Sequence, residues 1–373
     1  MSFFSAFYGY LTFRKLIKKK NNKKIVFFSE SKNYRNYLIN LIKILDKDSN
    51  LSIFYITSDI NDIDQISNRI KPIYIGNGFC RILLFSLINC DILIMTLTDL
   101  GNHEIKKSRF CKNYVYIFHS LVSTHKCYTH KAFKNYDVIL CNGEYQLKEL
   151  RYCENFFNFN RKKIFNTGYL YLENLVENKS KNLQQNKILF APSWNKSLKN
   201  LFDDYADKII GSLLEKEYKT ILRTHPETIN RSKMNLKKIK KKFSNNNNFQ
   251  LNTDLQNLRP YNESCMLITD NGGIALEYII TQKKPVIYID YVEKIHNEFF
   301  DKLGLHTIED KFKKEIGTII RIDQLEKIEF YIQQAKINFS EKINKIDELI
   351  AQHGLITKNQ SNNSKDAILK ILN

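Results

Sequence analysis

The stretch "LITDNGGIALEYIITQKKPVIYID", Leu267 to Asp290, decides the fold class. It reads as a buried strand, a tight turn, a helix and a second buried strand. Two apolar runs of strand length, rich in β-branched residues, flank a segment of helical length. The turn carries Asp270-Asn271-Gly272-Gly273, and Glu277 lies four residues past Gly273. An ordinary crossover needs only one glycine. Two in a row let a backbone come close to something, with a helix N-terminus pointing at it.

The same alternation runs outward from this stretch. "KIVFFSES" (from Lys24), "LSIFYITSD" (from Leu51), "KPIYIGN" (from Lys71), "DILIMTLTD" (from Asp91), "YVYIFHS" (from Tyr114) and "DVILCNGE" (from Asp137) read as buried strands ending in polar residues or glycine. Helix-length segments separate most of them, the pattern of a doubly wound parallel sheet. The polar run "KSKNLQQN", Lys179 to Asn186, has no apolar period and reads as a linker. A second series follows: "KILFAPSW" (from Lys187), "YKTILRTHPE" (from Tyr218), "CMLITDNGG" (from Cys265) and "KPVIYIDY" (from Lys284). The expected architecture is α/β, with two Rossmann-like doubly wound domains facing a cleft. The expected division is an amphipathic basic segment at 1–24, domains at 25–178 and 187–350, and a helical tail at 351–373. In such sheets ligands sit beyond the carboxyl ends of the strands, and every unusual residue of this chain lies at such an end.

A length of 373 residues suits two domains, and 43% hydrophobic content is ample for two cores. The net charge of +19 favours anionic partners: nucleic acid, acidic lipid headgroups or phosphorylated substrates. No recognised nucleic-acid-binding motif appears, and the aromatic residues fall mostly within strands, so nucleic acid is not expected. The 7 cysteines are scattered with no CxxC pair, which reads as reduced thiols in a cytoplasmic protein.

The N-terminal apolar stretch is too short to span a bilayer, and its charges follow rather than precede it, unlike a signal peptide. Phe3, Phe4, Phe7, Tyr8 and Leu11 fall on one helical face, and Lys15, Lys18, Lys19 and Lys20 follow. Aromatics beside lysines suit an interfacial helix on an anionic membrane; a helix packed on its own domain explains them equally well. The segment from Arg231 reads as a basic helix and an Asn-rich loop; with Met234, Leu236, Ile239 and Phe243 as its only apolar residues, it presents a solvated helix face.

Chemistry-bearing residues cluster at strand ends. "RTHPE" supplies Arg223, whose planar fork suits phosphate, and His225, a second donor. "APSW" places the Ser193 hydroxyl just past a strand. Thr269 to Gly273 offers successive backbone N–H groups as a phosphate cradle. Glu277, ~6 Å further along the helix axis, has the carboxylate to accept from ribose hydroxyls. His119, directly after "YVYIF", is suited to act as a general base. A structural histidine, a strand-ending turn and an ordinary crossover are the bland readings of the same residues. No DxD-like pair, Walker loop or HExxH occurs, so no metal and no cofactor is expected.

"KILFAPSWNKS", "ILRTHPE", "LITDNGGIALEYIITQKKPVIYID" and "NTGYLYLENL" (from Asn166) together resemble the CDP-glycerol glycerophosphotransferases of teichoic-acid and capsule synthesis, over roughly residues 110 to 300. The resemblance implies a GT-B fold and transfer of a polyol phosphate from a CDP-activated donor to a glycan or lipid-linked acceptor. It also implies a peripheral position on the inner face of the cell membrane. His119 would deprotonate the acceptor, Arg223 and His225 would hold donor phosphates, Ser193 would line the donor pocket, and Thr269, Asp270, Asn271, Gly272 and Gly273 would form the phosphate turn. Gly272 and Gly273 stand where the family has two serines, Glu277 where it has Asp, and Ser120 where it has Gly. The Gly-Gly-x-x-x-Glu form is similar to nucleotide-sugar transferases and UDP-GlcNAc 2-epimerases. The alternatives are therefore a glycosyltransferase using a CMP- or UDP-sugar and a UDP-sugar 2-epimerase.

Overall fold

The structure is a computed structural model describing residues 3–20, 22–98, 100–101, 105–179, 185–195 and 199–373, with only the backbone of Phe3. Most of the expected linker (180–184), and Lys196 and Ser197 of the "APSWNKS" motif, lie outside the described residues. The chain forms two compact units. Unit 1 comprises 1–119, 128–174 and 355–373; unit 2 comprises 120–127 and 175–354.

Unit 1 holds strands β1 (Lys23–Ser29), β2 (Leu51–Thr57), β3 (Ile73–Tyr74), β4 (Cys90–Met95), β5 (Cys111–Ile117), β6 (Val138–Cys141) and β7 (Lys163–Asn166). All are parallel, in the order β3-β2-β1-β4-β5-β6-β7. The central strands are apolar at nearly every position because both faces are covered. Ile25 and Phe27 point into one core with Tyr55, Ile92 and Val115; Val26 and Phe28 point into the other with Leu93, Tyr114 and Tyr116. That alternation is the two-residue period of a strand.

The helix Phe3–Lys18 buries Ala6, Tyr10, Phe13 and Ile17, a stripe at i, i+4, i+7 and i+11. Gly9 permits its close approach to the sheet edge: a Cβ there would stand 1.9 Å from the Tyr74 carbonyl oxygen. The opposite stripe, with Phe4, Tyr8 and Leu11, is exposed. The packed reading of this segment thus describes its buried face.

The C-terminal helix Gln360–Leu372 belongs to unit 1 rather than forming a separate tail. Ala367 and Ile368 are buried in the core beside Leu41 and Leu45. Gly168, at φ +88, leaves no room for a side chain against Ile356 and Gln360.

Unit 2 holds β8 (Lys187–Phe190), β9 (Lys219–Arg223), β10 (Phe249–Asn252), β11 (Met266–Thr269), β12 (Val286–Asp290) and β13 (Thr318–Arg321). They form a parallel sheet in the order β10-β9-β8-β11-β12-β13. Each sheet therefore starts in its middle, grows to one side and then crosses to the other, the doubly wound order. The strands absent from the sequence reading are β7, β10 and β13. Each is four residues long, at a sheet edge, and only partly buried. The basic helix Lys233–Phe243 is not solvated all round, because Ile239 and Phe243 are buried in the unit 2 core.

Candidate active site

In unit 2 the order of strand addition switches sides between the parallel neighbours β8 and β11, and the turns leaving these two strands lie side by side. Ala191 N–H donates to the Ile268 carbonyl, and Thr269 Oγ1 donates to the Ala191 carbonyl at 2.7 Å. The Asp270 carboxylate then accepts from Ser193 N–H at 2.7 Å and from Ser193 Oγ at 2.9 Å. Both side chains are buried. The switch point, where ligands bind in this class of sheet, is thus built on a charge-assisted staple. The Ser193 hydroxyl, which the resemblance assigns to the donor pocket, donates its hydrogen bond to Asp270.

The two glycines do different things. A Cβ on Gly272 would make ordinary 3.4 Å contact with Ser193 Cβ. A Cβ on Gly273 would stand 2.5 Å from Ser120 Oγ and 3.2 Å from Leu121 N. Gly273 has helical φ and ψ, so its need for glycine is steric and comes from the 120–122 segment. That segment is held in unit 2 by Ser123 N–H donating to Glu309 Oε1 and by Ile308 N–H donating to Ser123 Oγ. Asn271 Nδ2 donates to the Val292 carbonyl and ties the turn to the loop after β12.

Arg223 has its guanidinium bonded within unit 2. Its side chain is buried at the end of β9. The guanidinium donates to Asn252 Oδ1 at 2.7 Å and to the carbonyls of Asn257 and Leu255 at 2.9 Å each. It clamps the loop after β10, which neighbours β9 and turns its carbonyls inward. The same guanidinium lies 5.4 Å from the Tyr261 ring centre, and the Tyr261 hydroxyl donates to Glu277 Oε2 at 2.8 Å. Arg223 and Glu277 are therefore joined through Tyr261, a residue the sequence reading missed; its helix, Arg259–Glu263, is too short to show a period. The helix bearing Tyr261 is held in turn by Lys284, whose Nζ donates to the carbonyls of Tyr261, Asn262 and Ser264. Burial, with Lys179 nearby, pulls that ammonium down to about 8.

His225 caps the short helix Pro226–Arg231: its Nδ1 accepts from Glu227 N–H at 3.1 Å. Its ring stacks on Trp194 at 6.2 Å and 21°, and the Arg231 guanidinium lies 5.1 Å from the Trp194 ring centre. Trp194 and Arg231 thus join His225 at the ends of β8 and β9.

His119 belongs to unit 1, just past β5. Tyr34 meets its ring edge-on at 5.2 Å, and Tyr37 and Tyr128 do so at 6.2 Å. Two of the three come from the turn after β1, so aromatic packing orients the imidazole. Among the described residues no group of three or more His, Cys, Asp or Glu is placed to hold a metal.

Two doubly wound parallel sheets in one chain are the architecture of the GT-B fold. Solved structures similar to this chain share that fold. The UDP-GlcNAc 2-epimerase of Neisseria meningitidis, solved bound to UDP-GlcNAc, is 14% identical, with a TM-score of 0.59 over 93% of this chain and 100% of its own. The S. aureus MnaA–UDP co-structure is 13% identical, with a TM-score of 0.58 over 94% of this chain and 97% of its own. No curated protein sequence matches the chain. The profile of the CDP-glycerol:poly(glycerophosphate) glycerophosphotransferases matches residues 10–347, and the chain belongs to that family of transferases.

Proposed function

We propose that this protein moves a glycerol-phosphate or similar polyol-phosphate unit from a CDP-activated donor to a glycan or lipid-linked acceptor, in the synthesis of a cell-surface polymer such as teichoic acid or capsule. The observation that carries this reading is the family match, which spans both units. The acceptor hydroxyl gives its proton to His119 as its oxygen bonds to the phosphorus bearing the glycerol. The bond from that phosphorus to the bridging oxygen breaks, and CMP leaves with the electron pair. The N-terminal end of the helix Ile274–Gln282 and the His225 side chain are assigned to the negative charge on the leaving nucleotide. Glu277 is assigned to the ribose, whose hydroxyls a carboxylate can accept from. Arg223 acts one step removed, by holding the loop that positions Tyr261. An anionic membrane surface is the proposed location. No helix among the described residues is long and apolar enough to cross a membrane.

The test is thermal stabilisation by CDP-glycerol, CMP-sugars and UDP-sugars, paired with an assay for CMP release. Stabilisation by cytidine nucleotides with CMP release is the expected result. Stabilisation by uridine nucleotides alone would move the donor to a UDP-sugar and overturn the polyol-phosphate reading.

A further inference from the structure

Unit 2 carries a charged face that the transfer chemistry does not use. The helix Lys233–Phe243 holds six lysines in 11 residues and no acidic residue. None occurs in the chain between Glu227 and Asp254. All six lysines are exposed. Lys242 pairs with Asp207 at 2.8 Å. Lys233, Lys237, Lys238, Lys240 and Lys241 make no ion pair among the described residues. The neighbouring helix Leu201–Glu215 brings Asp203 close, but that carboxylate accepts from Ser232 Oγ at 2.7 Å and from Asn235 Nδ2 at 2.8 Å instead. The lysines run into the Asn-rich loop, where Asn245 and Asn247 are exposed.

A solvated helix is stabilised by opposite charges four residues apart. Here Lys233, Lys237 and Lys241 recur at that spacing, about 6 Å per step along the axis. Their like charges repel, and Lys233 opposes the dipole at the helix start. A bound anion relieves both. The large apolar residues face inward: Ile239 and Phe243 are in the core and Leu236 packs against it, which leaves Met234 outside. The exposed face thus lacks the bulky apolar side chains with which an interfacial helix enters a bilayer. It also lacks the aromatic platform on which single-stranded nucleic acid stacks. What remains is a row of cations ending in amide side chains. That chemistry fits a chain with phosphates at a regular interval and hydroxyls between them. The row also leads away from the candidate site. It follows the short helix that His225 caps, and since β9 and β10 are parallel neighbours, the chain between them returns from carboxyl ends to amino ends.

We propose that the exposed face of the helix Lys233–Phe243, with the loop 244–247, binds a polyol-phosphate chain: the lysine row takes its phosphodiesters, and Asn245 and Asn247 take its hydroxyls. This rests on the transfer reading above, which supplies such a chain. A chain held there stays with the enzyme from one transfer to the next.

The experiment is fluorescence anisotropy of the full chain with a labelled, lipid-free oligo(glycerol phosphate), beside a labelled oligothymidine of equal charge. The glycerol-phosphate oligomer is expected to bind more tightly. Lys237→Glu with Lys241→Glu should weaken it at least about tenfold, and Lys237→Gln with Lys241→Gln should lower the slope of log Kd against log salt by about 1–2. Asn245→Ala with Asn247→Ala should weaken the glycerol-phosphate oligomer more than the oligothymidine, which lacks polyol hydroxyls. All four side chains are exposed, so melting temperature should hold. Oligothymidine bound as tightly as the glycerol-phosphate oligomer would mark a nucleic-acid surface and overturn the proposal. Unchanged oligomer binding in both lysine variants would also overturn it. So would flotation with phosphatidylglycerol vesicles that both lysine variants abolish, which would assign the face to a bilayer. Cytidine-nucleotide stabilisation is read on the same samples. Its absence with oligomer binding intact would fail the donor reading alone, and its persistence with no oligomer binding in wild type would fail the chain-binding face alone.

Discussion

The Asp270 carboxylate accepts both the backbone N–H and the hydroxyl of Ser193, and so locks together the turns leaving β8 and β11. These strands are neighbours in the sheet but far apart in sequence, and their turns flank the switch point of unit 2. Hydrogen bonds to a buried carboxylate are worth about 1.5–3 kcal/mol each. Asp270→Ala, which removes both bonds, should therefore destabilise unit 2 by about 3–6 kcal/mol, and Ser193→Ala, which keeps the N–H bond, by about 1.5–3 kcal/mol. A double-mutant cycle by urea melting should give a coupling of about 0.5–3 kcal/mol. Strict additivity would mean that the hydroxyl bond contributes nothing.

The paired glycines invite a contrast. Gly272→Ala adds a methyl at ordinary contact distance and should be close to neutral. Gly273→Ala drives a methyl into Ser120 and Leu121 and should cost about 1–3 kcal/mol by overpacking. Ser120→Ala should recover part of that loss, because the nearest clash is with its Oγ, while Leu121 N remains in the way. Equal tolerance of both alanines would show that the 120–122 segment does not press on this helix.

For Arg223, the expected effect is on folding before binding. Arg223→Ala removes the guanidinium bonds to the Leu255 and Asn257 carbonyls and the buried one to Asn252 Oδ1, and should lower the melting temperature without any nucleotide present. A buried group left unsatisfied costs about 1–3 kcal/mol. Arg223→Lys should rescue only in part, since an ammonium lacks the planar fork. An unchanged melting temperature with weakened nucleotide binding would restore the direct phosphate contact.

His119→Ala should leave nucleotide stabilisation intact and lower turnover by about 10²–10⁴, the contribution of a positioned base. Tyr34→Phe keeps the ring that faces the imidazole and should change turnover little. If His119→Ala removed nucleotide binding while turnover per bound donor held, the base assignment would fail.

Acid should expose the role of Asp91. Burial raises its carboxyl, but the Lys112 ammonium and the Lys24 N–H outweigh that and hold it below the usual carboxylate range. A depressed carboxyl contributes stability in full above its unfolded value near 3.9, and loses it as pH falls through the lower folded value. Asp91→Asn should therefore flatten the acid limb of a stability–pH curve measured by denaturant melts, and leave the slope above pH 5 unchanged. An identical acid limb in wild type and variant would remove Asp91 from the acid response.

The sequence by itself determined the class of the fold. Strands such as β1, β5 and β11 are buried on both faces, and burial leaves a run of apolar residues that can be read locally. It also marked Ser193, Asp270 and His225 at strand ends, because polar residues interrupting such runs stand out, and Glu277 one turn into the helix that follows Asp270. Only the tertiary structure decided what these residues touch. The edge strands β7, β10 and β13 bury too little to leave a pattern. Arg223 meets carbonyls about thirty residues downstream, and no local period records which loop a guanidinium will find. Gly273 is required by Ser120, more than a hundred residues earlier, and the helix Gln360–Leu372 returns to the unit in which the chain began. Periodicity reports how deeply a residue is buried. The partner it is buried against is set by chain crossings between distant segments, and those appear only once the sheets have assembled.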